Sequence, residues 1–282
     1  MIKRLCLVFI ALFALNSYAQ EGTTSPYSFY GIGSLKFKGT VENVSMGGLS
    51  IYTDSIHVNL RNASSYAGNL LSNEGQGQIV KFAVGGSSSN TTLKTSTASD
   101  KTNATTFDYL ALSVPMGRLG MGFGLMPYTS VGYRLLSVQE EDVLDYKYSG
   151  EGGVNKAFLG LGYLVSENLK IGVDASYNFG NIQNNVLNFR YDDEGNPLLY
   201  HSKEINRSEL SGLNYNFGLS YTPMITEKLQ LTSSFTFSPK ADLTSTNQRS
   251  FATVVVADTG QEVTVNQIEA DLEALNLNKT VL

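Results

Sequence analysis

The stretch LKIGVDASYNFG, residues 169–180, alternates between apolar residues at odd positions and polar or small residues at even positions. The apolar set runs from Leu169 to Phe179, and the other set runs from Lys170 to Gly180. Successive side chains of an extended chain point to opposite faces, so a period of two indicates a strand. The stretch therefore predicts a β-strand with one apolar face and one polar or small face.

The same alternation appears in four further stretches of the chain. They are residues 110–116, 119–125, 213–221 and 229–237, the last with one slip at Ser233. We place about seven strands between Gly75 and Pro239 on this basis. The sequence thus predicts an all-β, antiparallel fold.

The alternating strands fit either a transmembrane β-barrel or a secreted β-sandwich. Several runs reach nine residues or more, whereas strands in soluble sheets usually have about five or six. Tyr and Phe lie near the strand ends, and the opposite faces carry Gly, Ser and Asn. These features favour an antiparallel transmembrane barrel, whose outer face meets lipid and whose interior is polar. The sandwich remains the alternative.

Composition narrows the possible functions. Charged residues make up 16% of the 282 residues and the net charge is −5, which argues against a nucleic-acid partner. One Cys and two His, His57 and His201, lie far apart in the sequence and show no ligand spacing. We expect no metal, no cofactor and no enzymatic activity.

The N-terminus has the features of an export signal. Lys3 and Arg4 precede an apolar stretch at residues 5–15, and small residues at Ser17 and Ala19 mark a cleavage site. We predict a signal peptide over residues 1–19, cleavage near Ala19, and a mature protein in the bacterial outer membrane.

Four regions follow from these patterns. The polar turn at residues 192–197 lies between two long strands, so we expect that hairpin to project above the membrane. In the tail, residues 251–257 and 262–265 are short β-like pieces, whereas Ile268, Leu272 and Leu275 have a helical spacing. Either an eighth strand lies in the tail or strands are missing from the chain, and we favour missing strands.

The chain thus divides into four regions. They are a signal peptide (1–19), an N-terminal hatch or plug (20–74), barrel strands (75–240), and an external loop and helical tail preceding the missing strands (241–282).

The segment before the first strand carries short motifs. Met46, Gly47 and Gly48 are followed by the acidic Asp54, and Asn62 begins an Asn-Ala-Ser element. This order resembles the FadL-like outer-membrane long-chain fatty acid transporter superfamily, especially its Bacteroidetes-type versions, although Ala63 stands where that family has proline. The resemblance implies a 14-stranded barrel with an N-terminal hatch, and places these residues in the hatch.

The resemblance also implies sideways release of a hydrophobic ligand through a kinked third strand. Gly120, Gly122 and Gly124 form a face without side chains there, and Pro127 cannot donate to the ladder. These four residues are the candidate lateral opening; a purely structural kink is the alternative.

Polar residues on the best strands would line the lumen. We expect the charges of Lys170 and Asp174 to pair with groups of the hatch or of neighbouring strands. A polar lumen suits a selective transporter and a general porin alike. The predicted lumen-lining residues are Lys170, Asp174, Asn178, Asn214 and Asn216.

Two functions remain in competition at this stage. The leading hypothesis is a barrel that admits hydrophobic, fatty-acid-like molecules past the hatch. The alternative is a structural or interaction subunit of an outer-membrane protein complex without transport activity. The predicted partners are outer-membrane lipid or lipopolysaccharide, a hydrophobic small molecule and other envelope proteins.

Overall fold

The computed structural model describes residues 23–52, 56–68, 79–94, 99–138, 143–257 and 259–270. The predicted signal peptide, its cleavage site at Ala19 and the hatch residue Asp54 lie outside these residues.

Antiparallel strands make up 67% of the described residues, which confirms the all-β prediction. Its helical pieces are a 3-10 turn at Pro26–Phe29, the helix α1 at Val41–Ser45 and a second 3-10 turn at Ala63–Tyr66. The strands are β1 (Ser34–Leu35), β2 (Lys81–Lys94), β3 (Ser99–Met116), β4 (Leu119–Pro127), β5 (Thr129–Val138), β6 (Leu144–Ser166), β7 (Leu169–Asn188), β8 (His201–Tyr221), β9 (Met224–Thr226), β10 (Leu229–Gln230), β11 (Ser233–Phe237), β12 (Thr244–Val256) and β13 (Glu262–Ala270). No helix in the described part of the chain is long and apolar enough to cross a membrane.

Eleven of these strands form one sheet, which we call the wall. Eight of them follow one another in the order β13-β12-β8-β7-β6-β4-β3-β2, and the other three, β1, β5 and β11, pair with members of this row. Two positions in the wall are each shared by two strands. β4 and β5 both pair with β6, and β11 and β12 both pair with β8. The remaining strand of the sheet, β1, comes from the N-terminal segment and pairs with β5. Between Gly75 and Pro239 the sheet therefore has eight strands, β2 to β8 and β11, in seven positions, because β4 and β5 share one; the alternation predicts about seven strands.

The two faces of the sheet reverse the pattern of a soluble protein. On the face that we call outer, apolar side chains such as Leu161, Val173 and Phe217 are exposed. On the opposite, inner face, polar side chains such as Asp174 and Asn178 are 5% and 3% exposed because the N-terminal segment covers that part of the sheet. An exposed apolar face opposite a buried polar face is typical of a sheet whose outer side meets hydrocarbon.

The exposed apolar side chains of the outer face form a band that covers only part of the β7–β8 hairpin. We call the part near Leu169 and Tyr221, which carries the band, the lower part, and the part near the turn the upper part. β7 has 20 residues, about 65 Å of strand, whereas a bilayer needs about 9–11 residues. On the outer face the band ends at the stacked rings of Tyr177 and Phe179, and Asn181, Gln183 and Asn185 continue above it. The predicted long hairpin around residues 192–197 is thus present, with a polar upper half.

An apolar cluster and a pair of lysine–glutamate contacts stabilise the upper part of the sheet. Leu187, Ala252 and Val254 pack against one another, and Glu262 of β13 accepts hydrogen bonds at 2.7 Å from both Lys147 and Lys203. Partial burial raises the pKa of Glu262, but the hydrogen bonds and charges of the two lysines outweigh it and lower that pKa below its ordinary value.

At the end of β4, the strand that pairs with β6 changes from β4 to β5. Pro127 has no N–H to donate, and the next residue, Tyr128, donates instead to the Val154 carbonyl at 2.7 Å. Above this point β5 stays with β6, whereas β3 stays with β2. β1 occupies the edge of β5 in the gap between them.

The two short β-like pieces predicted in the tail coincide with parts of β12 and β13, whereas the loop and helix predicted for the rest of residues 241–270 are replaced by the longer strands. Residues 244–256 and 262–270 are strands, and Ile268 pairs with Phe251 across the β12–β13 ladder. β12 pairs with β8 above the part of β8 that pairs with β11. This pairing over a long sequence distance favours strands in the tail, and the helical spacing of three apolar residues does not predict it. Leu272 and Leu275 lie outside the described residues.

We predict that Val173→Lys, in the apolar band, lowers the free energy of unfolding from lipid vesicles by about 2–4 kcal/mol, because it places an ammonium in hydrocarbon. Asn185→Lys, on the same face above the band, should cost less than about 1 kcal/mol. Chemical denaturation in vesicles measures both. Equal, small effects would mean that the outer face does not meet lipid.

We also predict that the β12–β13 hairpin loosens in acid. A pKa lowered by folding contributes stability that is present above the unfolded value, near 4.5 for Glu262, and that is lost as the pH falls through the folded value. Hydrogen exchange of β13 amides should therefore accelerate below about pH 4.5. Glu262→Gln should remove this pH dependence, whereas Glu209→Gln, which breaks only the exposed pair with Arg207, should keep it.

Candidate functional site

The second 3-10 turn docks on the inner face of the sheet. Asn62 caps it, since the Asn62 side-chain oxygen accepts a hydrogen bond from the Ser64 amide at 2.9 Å. The Asn62 amide group donates to the Ser234 hydroxyl at 2.7 Å and to the Ser220 hydroxyl at 3.2 Å. The Ser64 and Ser220 hydroxyls also share a 2.7 Å hydrogen bond. These contacts tie the N-terminal segment to β8 and β11.

A row of glycines makes this docking possible. Gly120, Gly162, Gly172 and Gly218 are consecutive cross-strand partners on β4, β6, β7 and β8. A Cβ at Gly120 would collide with the Tyr66 carbonyl, and one at Gly172 would collide with the backbone of residues 63 and 64. The row is therefore a groove across four strands that admits the backbone of residues 62–68.

Tyr66 fills the next row of the inner face. Its ring lies where a Cβ on Gly122 or Gly160 would be, and its exposure is only 4%. Burial raises the pKa of the Tyr66 hydroxyl, and the negative charge of Asp174 raises it further. The phenol therefore stays neutral and acts as a packing group.

A charged group of the N-terminal segment reaches the sheet in that same row. The Lys38 ammonium lies 3.7 Å from the Asp174 carboxylate, which also accepts a 2.9 Å hydrogen bond from Asn216. The charge of Asp174 thus pairs with a group of the N-terminal segment, one of the two kinds of partner expected from the sequence. Lys156, 6% exposed, lies over the Tyr128 ring at 4.4 Å, where a cation–π contact compensates part of its lost hydration.

The other predicted lumen residues also lie on the inner face. The Asn178 amide donates to the Asn214 side-chain oxygen at 3.0 Å, and Lys170 stands between Leu164 and Ser220 in the row below the glycines. The structure thus places all five predicted residues on one face, where four of them form hydrogen-bonded pairs, Asp174 with Asn216 and Asn178 with Asn214.

The Met-Gly-Gly motif has a local role. Gly47 and Gly48 adopt positive φ of 69° and 89°, and the Gly48 amide donates to the Asn43 carbonyl at 2.7 Å. Glycine adopts this conformation without steric cost, so the pair ends α1. Met46 is the residue that follows the helix and remains 54% exposed.

The candidate lateral opening divides into two parts. Gly120 and Gly122 lie beneath Tyr66, and Gly124 faces the Leu110 carbonyl and the Phe158 ring, so these glycines are packing positions. Pro127 stands at the change of partners between β4 and β5. At Gly120 and Gly122, the N-terminal segment of the chain fills the space through which a ligand would pass in the lateral-opening hypothesis.

Sequence reasoning missed four residues of the site: Lys38, Ser64, Tyr66 and Lys156. Ser64 belongs to the Asn-Ala-Ser element and the other three lie in stretches without a distinctive motif, but the role of each depends on a contact distant in sequence. A signal was nevertheless available, because glycines repeat at alternate positions of β4 and β6. Two such sets on neighbouring strands indicate that another part of the backbone approaches closely.

We predict that Gly172→Ala detaches the N-terminal segment, because the added methyl group would collide with the backbone of Ala63 and Ser64. Limited proteolysis should then cut residues 56–68 at least about tenfold faster, equivalent to losing about 1.4 kcal/mol of docking free energy. Ala175→Val, on the outer face of the same strand, is the matched control and should leave the cleavage rate unchanged.

Comparison with protein families gives one match that covers the chain. The BamG family model matches residues 1–281, and BamG is a component of the BAM complex. A comparison with curated proteins found no significant match, and a comparison with solved structures found none either. The family match overturns the resemblance to FadL-like transporters, and with it the prediction that the barrel takes up fatty-acid-like molecules. The chain belongs to the BamG family.

Proposed function

We propose that this protein is a structural, interaction-providing subunit of the BAM complex in the bacterial outer membrane and that it does not transport a ligand. The observation that carries the proposal is the match of the BamG family model to residues 1–281 of 282. It supports the alternative of an interaction subunit.

The packing of the inner face supports the same proposal. Residues 62–68 lie in backbone contact with four strands, and Lys38 and Tyr66 cover the row above. A solute that followed this face would have to displace both backbone contacts and the buried Asp174–Asn216 hydrogen bond. A packed plug of this kind stabilises a scaffold more readily than it opens a path.

The two ends of the sheet suit an anchored subunit. The apolar band would hold the lower half in the membrane, and the predicted signal peptide at residues 1–19 would direct the chain to the periplasm. Above the band, the β7–β8 hairpin extends into water and carries exposed Leu199 and Tyr200 beside the Tyr191–Pro197 bridge. Apolar side chains at the tip of a polar hairpin are the first candidates for contact with a partner protein.

We propose no catalytic role. The two histidines of the chain take part in structural contacts: His57 lies 3.9 Å from the Glu42 carboxylate, and the His201 ring accepts a hydrogen bond from the Arg190 amide at 3.1 Å. Within the described ranges, no three His, Cys, Asp or Glu side chains group closely enough to hold a metal ion.

Affinity purification of the full chain in mild detergent tests the proposal. We expect other components of the BAM complex to co-purify in stoichiometric amounts, because the protein acts as a subunit. Leu199→Ser combined with Tyr200→Ser should lower their recovery at least about fivefold, since losing two apolar contacts costs about 1 kcal/mol or more.

The matched control is Asp193→Ser, which changes a polar residue in the same exposed turn and should leave the recovery unchanged. Full recovery with the double variant would show that the hairpin tip is not the contact. A lone barrel, purified without any BAM component under conditions that preserve the complex, would refute the proposed function itself.

A further inference from the structure

A second polar site lies on the outer face, where the wall changes partners. It is a cavity of about 780 Å³ between the gap beside β5 and the outer faces of β6 and β7. The charged and amide side chains of its lining are Lys36, Glu151, Asn155, Asn181, Gln183 and Arg207. None of these side chains belongs to the inner-face network described above.

The cavity stands at a defined height on the sheet. Its lower rim includes Phe107 and Phe179, and Phe179 stacks on Tyr177 at the top of the apolar band. Rings at this position mark the boundary between hydrocarbon and polar headgroups in outer-membrane barrels. The polar lining begins at the boundary, where Asn155 is the cross-strand partner of Phe179, and continues above it at Asn181, so it lies at headgroup level.

Main-chain structure creates the cavity and positions one of its cations. Gly152 and Gly153 leave the β6 wall without side chains, and both have positive φ, at 109° and 151°. The Lys36 amide donates to the Tyr128 carbonyl at 2.9 Å as the N-terminal segment enters the gap. The base of the Lys36 side chain is thereby fixed at the rim.

The lining has the chemistry of a phosphate site. A lysine and an arginine outnumber one carboxylate, and three amide side chains can donate hydrogen bonds to phosphate or sugar oxygens. Arg207 is now paired with Glu209 at 3.3 Å, but both side chains are about half exposed, and such a pair contributes little. An anionic ligand can therefore recruit Arg207 at low cost.

Apolar surface continues below the cavity on the same face. A groove of about 540 Å³ runs between Leu161, Ile171, Val173, Phe217, Leu219 and Phe235. From Val173 to Asn181 is eight residues, about 26 Å along β7, which is comparable to the height of the apolar band of an outer-membrane barrel. A ligand with a charged head and long acyl chains fits both surfaces together.

We propose that the outer-face cavity binds the phosphorylated headgroup of an outer-leaflet lipid, whose acyl chains lie along the apolar face below it. Lys36 and Arg207 contact the phosphate, Asn155, Asn181 and Gln183 donate to neighbouring oxygens, and Glu151 opposes the anion. The site is independent of the contacts assigned to the BAM complex.

Binding of bis-phosphorylated lipid A to the purified full chain in detergent tests the proposal, with the same lipid lacking phosphates as the headgroup control. Lys36→Gln and Arg207→Gln should each weaken binding of the phosphorylated lipid about tenfold, the value of one charge-assisted hydrogen bond. Glu151→Gln should tighten binding, because it removes a repulsive charge. Arg134→Gln, an exposed cation of β5 outside the cavity lining, is the matched control and should stay within about twofold of the parent.

Tighter lipid binding by Glu151→Gln, together with weaker binding by Lys36→Gln and Arg207→Gln, cannot arise from a general loss of folding. Equal affinities for all variants, or for both lipids, would overturn the proposal. Competition by millimolar inorganic phosphate would also overturn it, because the site would then hold a free anion without needing the acyl chains. Recovery of BAM components with the same variants should be unchanged, so failure here would not be mistaken for failure of the proposed function.

Discussion

The structure depends on one steric constraint: the N-terminal backbone can touch the sheet only where the sheet has no side chains. Gly120, Gly162, Gly172 and Gly218 meet this requirement on four strands in a single row. Close approach then brings the Asn62 amide and the Ser64 hydroxyl within reach of the serines below the row. Without the row, the buried polar groups of residues 62–64 would lack their partners, at a cost of about 1–3 kcal/mol each.

The interior holds polar groups beside buried apolar clusters such as that of Val131, Tyr133 and Ile182. A sheet whose outer face meets hydrocarbon need not place all of its apolar side chains inside, so its inner face can also carry a hydrogen-bonded network. The Asp174 carboxylate, for example, is satisfied by Asn216 and Lys38. Such networks are favourable only when nearly every member has a partner, because an unpaired buried polar group is costly. The plug supplies several of these partners and thus completes the fold.

The strands were predictable from sequence because alternation is a local property. Residues 169–180 alone predict the first part of β7 and both of its faces. Register is not local, so the glycines of β4 suggested an opening when taken singly, whereas their alignment with Gly162 and Gly172 makes a docking groove. The resemblance to transporters failed for a related reason. Met-Gly-Gly and Asn-Ala-Ser are short elements that a helix end and a 3-10 cap require on any scaffold, and they do not report on transport.

The gap between β3 and β5 links the two polar sites physically. The N-terminal segment enters it as β1, places Lys36 at the outer-face cavity, and two residues later places Lys38 at Asp174 on the inner face. Two residues of extended chain span only about 7 Å, so neither lysine can move far while the other is held. Occupation of the outer cavity must therefore stiffen the plug, and release of the plug must reposition Lys36. An anchored subunit gains from this arrangement, because contact with the surrounding membrane and packing of its own interior reinforce each other.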